Sequence, residues 1–262
     1  MNIYRHEMRA GRKAFLFWMI GMFFLCFAGI VKFESYSAGG GMDELLAAFP
    51  RVVLAVMGVA GVDMNSLTGY TAILFYYVLV CAVVYAVILG AAVVSRESID
   101  KTHEFLFTKP RGRARILAAK LASAFTYLFL FCGMNAVFAY GAVATLKSGE
   151  NVAGVIAACA LSVFLVSVLF AALAAFLATI VRRPEKGALY GNLAFLAAFV
   201  LGVVYNMLEH PGALRLVSPF NYFTSADLAT AYLSPLYVLY ALVLSAILLV
   251  GAFRRFERRD LV

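Results

Sequence analysis

Glu97 and Glu104 stand seven residues apart, in a stretch that also carries Ile99, Thr102, Phe105, Leu106 and Pro110. On a helix seven positions make about two turns, so the two carboxylates fall on one side. Ile99 and Leu106 share the same spacing, and Glu97 with Lys101 forms an i,i+4 pair of the favourable order. Phe105 and Phe107 add apolar surface that sits poorly in water. This is the chemistry of a docking handle rather than of a catalyst. The pattern predicts a short helix that breaks near Lys109, because the residue before a proline avoids the α conformation. Beyond Pro110, Arg111, Arg113, Arg115 and Lys120 form a basic ramp, which also fits a solvated loop obeying the charge rule for membrane topology.

Catalytic chemistry finds no support elsewhere in the chain. His6, His103 and His210 fall in three separate segments without metal-ligand spacing and read as surface or interface histidines. Six long runs contain no Asp, Glu, Lys, Arg or His: residues 14–31, 71–94, 121–146, 152–181, 188–208 and 236–253. Serine chemistry at membrane depth needs a base, and aspartyl chemistry there needs two carboxylates; the runs supply neither. Proton coupling through an intramembrane carboxylate is unsupported for the same reason. The dipeptide Gly-Lys never occurs, so no phosphate-binding P-loop is present. If ATP drives this protein, ATP and Mg are held by a separate subunit, and this chain binds no cofactor. Cys26, Cys81, Cys132 and Cys159 sit in four different runs and suit free, packed thiols better than disulfides or a metal site.

The elements that position the docking stretch follow from the same runs. They are 18, 24, 26, 30, 21 and 18 residues long, against about 20 for a helix crossing about 30 Å of hydrocarbon. With 64% hydrophobic and 14% charged residues in 262, the chain reads as an all-α integral membrane protein with six transmembrane helices. A soluble enzyme and a nucleic-acid binder are excluded, despite a net charge of +8. Placing the N-terminus in the cytoplasm puts 18 of the 22 Lys and Arg residues in the inner segments, with both termini cytoplasmic. The 14 acids split evenly, as expected when cations set the orientation. Residues 50–61 are too short to span and read as an interfacial or re-entrant helix on the outer side. The first run is too long for a signal peptide core. The whole chain, 1–262, reads as one membrane domain, with residues 95–120 as its one long inner loop.

That loop carries a resemblance. It is similar to the cytoplasmic loop of ABC-2-type transporter permeases, whose pattern is roughly E-x(3)-G-T-x-E-x-L-x(3)-P-x-x-R-x-x-I-x(3)-K. Glu97, Thr102, Glu104, Leu106, Pro110, Arg113, Ile116 and Lys120 occupy the matching places, and Lys101 replaces the usual Gly. Ser218, Pro219, Phe220, Asn221, Tyr222 and Phe223 resemble the family's outer segment between the fifth and sixth spans. The tail from Phe253 to Leu261 resembles its basic C-terminus. The resemblance implies that 97–107 is a coupling helix docking in a groove of an ABC ATP-binding subunit. Its aromatic residues would fill the groove while Glu97 and Glu104 meet polar partners at the rim. It further implies an ATP-driven exporter of two permease chains and two ATPase chains in the plasma (inner) membrane of a prokaryote. Two other classes stay open at this point: a membrane scaffold or sensor, and a channel independent of any ATPase.

Three smaller features complete the reading. Arg5, Arg9 and Arg12 recur along one side of an N-terminal helix suited to anionic inner-leaflet lipid. Gly187 and Gly191 allow close helix approach, either within the chain or across a homodimer, and the family tendency favours a dimer contact. The outer segments 41–61 and 211–234 are apolar and broken by Pro50, Pro211 and Pro219, which predicts short helices capping the outer side. Spans without ionisable groups favour apolar or amphipathic cargo, such as a peptide or lipid.

Overall fold

The computed structural model describes residues 3–38, 46, 48–59, 61–99, 112–146, 151–183, 186–208 and 212–257. Every regular element among them is helical. Six helices are long and apolar enough to cross a membrane: α1 (Ile3–Ser35), α3 (Leu67–Ile99), α4 (Arg113–Val143), α5 (Ala153–Ile180), α6 (Gly187–Met207) and α9 (Pro235–Glu257). The short helices among the described residues between them include α2 (Arg51–Met57), α7 (Leu214–Val217) and α8 (Ser225–Ala229). Each of the six charge-free runs falls largely within one long helix. The seven residues of α2 extend only about 10 Å, far too little to span.

Helix α1 begins in the basic N-terminal stretch and runs without a break from Ile3 through Phe23 before a π-helical turn at Phe24–Ala28. Its 33 residues correspond to about 50 Å, well beyond the hydrocarbon thickness of about 30 Å. The segment bearing Arg5, Arg9 and Arg12 therefore extends the first span instead of folding aside as a separate helix. All three arginines are exposed. The π turn places the Cys26 thiol 3.2 Å from Asn135 Oδ1 on α4, and Asn135 Nδ2 donates to Phe131 O. Both side chains of this interhelical bond are buried.

The core lies along α3 and α5. In a membrane, helices gain little by leaving lipid for one another, so close packing of small side chains carries the association. Helix α5 supplies Ala171, Ala172, Ala174, Ala175 and Ala178, all fully buried. Gly90 of α3 meets it where a Cβ would lie 2.2 Å from Ala171 O. Helices α4, α6 and α9 pack around α5, and α1 lies against α4. Helices α1, α6 and α9 are consequently peripheral, with rows of exposed apolar residues such as Phe17, Ile20, Leu193, Leu196, Leu239 and Ile247.

The starts and ends of the spans gather at two poles. At one, called here the basic end, Val93, Leu117, Ala178 and Phe256 share one apolar cluster from α3, α4, α5 and α9. At the other, the far end, the short helices form a cap. Helix α2 ends at Gly58, whose left-handed φ of 71° and close approach to the Tyr76 ring leave no room for a side chain. Asn206 Nδ2 ties α6 to Ala55 O at 3.2 Å, and Asn221 Nδ2 donates to Asn206 Oδ1 at 2.7 Å. Arg215 donates to Asn221 O, Tyr222 O and Asp227 Oδ2, and its guanidinium lies 4.4 Å from the centre of the Tyr237 ring. The outer segment Ser218–Phe223 is thus an internally tied element: Phe220, Asn221, Tyr222 and Phe223 are all buried.

Candidate coupling site at the basic end

The docking stretch is rooted in two helices. Helix α3 runs five residues beyond the charge-free run, to Ile99, so the backbone of Glu97 and Ile99 continues the second span. Helix α4 begins at Arg113 after Gly112 at its N-cap, so it starts eight residues before the third charge-free run. Thr102, Glu104, Phe105, Leu106 and Pro110 lie outside the described residues, as do the side chains of Glu97 and Ile99. The expected coupling helix is therefore defined here by its two roots.

Those roots are joined by charge. Arg96 Nη1 donates to Glu7 Oε2 at 2.6 Å, and Lys120 Nζ lies 3.5 Å from Glu7 Oε1. One carboxylate from α1 thus bridges cations from α3 and α4. Lys120 is buried, with only 3% of its side chain exposed, and also donates to Val93 O at 3.2 Å. The basic ramp is therefore not uniformly solvated: its last member is pulled inside to meet Glu7. A buried charge is tolerated only when paired and hydrogen-bonded, which is what Glu7 and Val93 provide.

Around this cluster α1 and α4 are held by further polar contacts. Tyr127 OH donates to Met8 O, and Tyr4 OH donates to Thr126 Oγ1 at 3.1 Å. Gly11 makes the approach possible, since a Cβ there would lie 2.7 Å from the Tyr127 ring. The void enclosed by Glu7, Gly11, Arg96, Lys120 and Tyr127 is only about 20 Å³, room for about one water. It is a tie between three helices, not a ligand pocket. Among the described residues no group of three His, Cys, Asp or Glu is placed to hold a metal ion.

The remaining predicted residues are placed as follows. Gly187 and Gly191 are buried within the chain: a Cβ at Gly187 would lie 2.5 Å from Ala178 Cβ, and one at Gly191 would lie 2.7 Å from Val87 Cγ1. Of the two uses the sequence left open, the glycines serve contact of α6 with α3 and α5. The opposite face of α6 exposes Leu189, Leu193, Leu196 and Val200. Glu7 and Arg96 carried no sequence prediction. The available signals were that Glu7 is the sole acid in the first 33 residues and that Lys120 matches the final position of the loop pattern.

A family model described as ABC-2 family transporter protein matches residues 1–261. The chain belongs to the ABC-2 transporter family. It is a multi-pass membrane protein and the membrane component of a transporter, a family that normally works with a separate ABC ATP-binding subunit. No curated relative matches the sequence. The polar tie sits where α3 ends and α4 begins, at the base of the connection between them.

Proposed function

We propose that this ABC-2 chain is the permease subunit of an ATP-driven exporter, with two copies forming the pathway and two ABC ATP-binding subunits holding ATP and Mg. The segment 97–107 docks on the ATPase, with Phe105 and Leu106 in its groove and Glu97 and Glu104 at the rim. The observation that carries this reading is the Glu7 bridge to Arg96 and Lys120. It joins both roots of the segment to α1, so a push on the segment moves three helices together instead of bending a loop. The exposed apolar faces of α1 and α6 supply a dimer contact. The spans' charge-free surfaces suit apolar or amphipathic cargo, a peptide or lipid, exported across the plasma membrane of a prokaryote.

Purification of the tagged chain from its native membrane tests the assembly. A stoichiometric P-loop ATPase in a complex with two permease chains is expected. A chain that purifies without any ATPase, yet supports cargo flux in vesicles, would establish a channel instead.

A further inference from the structure

Between α5 and α9 at the basic end lies a groove of about 280 Å³, lined by Phe176, Ile180, Gly251, Arg254 and Arg255. Its depth depends on Gly251, where a Cβ would lie 2.7 Å from the Phe176 ring. The floor is apolar and the rim carries two guanidinium groups. Both arginines are exposed, and no ion pair engages either among the described residues. The groove also straddles a chemical boundary. The charge-free run of α5 ends just before Arg182, and that of α9 ends just before Arg254. Ile180, Val243, Ile247 and Val250 are exposed, so the groove opens beside the face that α9 turns to its surroundings.

We infer that this groove holds an anionic phospholipid, its phosphate bound by Arg254 and Arg255 and an acyl chain lying along Phe176 and Ile180. Planar guanidinium forks match phosphate oxygens in pairs, a geometry that a diffuse attraction to a charged leaflet does not require. Basic pockets between spans at the inner surface are suited to such headgroups. A choline headgroup places a fixed cation beside its phosphate, which the two arginines disfavour. A soluble phosphate ester would satisfy the arginines but leave Phe176 and Ile180 uncovered.

Native mass measurement of the full chain, released from nanodiscs of equal phosphatidylglycerol and phosphatidylcholine, tests the site. Wild type is expected to keep one phosphatidylglycerol per chain after the phosphatidylcholine is lost. Arg254→Gln with Arg255→Gln should lower that retention about thirtyfold, with the unfolding midpoint unchanged. Arg5→Gln with Arg9→Gln, at the same end but away from the groove, should retain the lipid. Equal retention of both lipids by wild type would overturn the inference. So would equal losses from both arginine pairs, which would mean bulk attraction, or displacement of the lipid by millimolar glycerol phosphate, which would mean no acyl-chain contact.

Discussion

Replacing Glu7 with Gln removes a carboxylate that Arg96 and Lys120 share. At 3.5 Å, two unit charges attract by about 5 kcal/mol at an effective dielectric of about 20. Desolvation of both ions offsets much of that in the folded protein, so the intact pair adds little net stability. Breaking the pair is a different matter, because Lys120 stays buried with its charge. Such losses run to about 3–5 kcal/mol. Lys120 keeps the Val93 carbonyl and its other contacts, which places the expected cost near the low end, about 3 kcal/mol. Arg96 is one-third exposed and can turn to water, adding less than about 1 kcal/mol. Trp18, the single tryptophan, packs 5.5 Å from Tyr85 and 6.4 Å from Phe131 and reports unfolding in mixed micelles. In that assay Glu7→Gln should be about 3 kcal/mol less stable than wild type. Glu7→Gln with Lys120→Met, which removes both charges, should be more stable than Glu7→Gln alone, with a coupling of at least about 1.5 kcal/mol. A Glu7→Gln protein within about 0.5 kcal/mol of wild type, with no coupling to Lys120, would show that the tie holds nothing.

Two further changes probe the packing and the far-end cap. Gly191→Leu should destabilise the chain by about 1–3 kcal/mol through overpacking against Val87 and Ala174, measured as unfolding that is independent of protein concentration. An effect confined to dimer dissociation would contradict that placement. Tyr222, on the outer segment, donates to Leu216 O at 2.9 Å, so Tyr222→Phe should cost about 1 kcal/mol near neutral pH. Burial first, and then the neighbouring Tyr240 and Tyr237, raise its phenol above the ordinary value of 10.0. A phenol raised on folding stabilises the protein below its unfolded pKa and loses that contribution as pH climbs above it. Wild type should therefore lose stability faster than Tyr222→Phe above about pH 10. Parallel pH curves for the two proteins would refute this.

The six spans were legible because the charges stop where the hydrocarbon begins, and runs of 18 to 30 residues without an ionisable group have few other uses. The ends were less legible. A charge-free run marks where solvation is forbidden, not where the helix stops, so α4 starts eight residues early and carries Lys120 inward on its second turn. Glu7 reads in sequence as one acid among four N-terminal cations. Only the continuity of α1 through Gly11 brings it beside two helices more than 80 residues away. Gly187 and Gly191 show a further limit: spacing announces close approach but not which helix approaches. The outer motif from Ser218 to Phe223 was recognised by its order of residues. Its bonds to Asn206 and Arg215 depend on tertiary placement that no local pattern encodes.

Under the proposed function the connection between α3 and α4 couples this permease to an ATPase, and Glu104→Lys tests that coupling most directly. Losing one partner of a partly buried charged contact costs about 2–5 kcal/mol, enough to release the ATPase or uncouple it. In complexes reconstituted with the native ATPase, cargo-stimulated hydrolysis should fall to the unstimulated rate in Glu104→Lys. Membrane insertion and the Trp18 unfolding midpoint should be retained, and Glu150→Lys, in the connection between the third and fourth spans, should behave as wild type. Equal stimulated rates for wild type and Glu104→Lys, at equal stoichiometry, would contradict the claim.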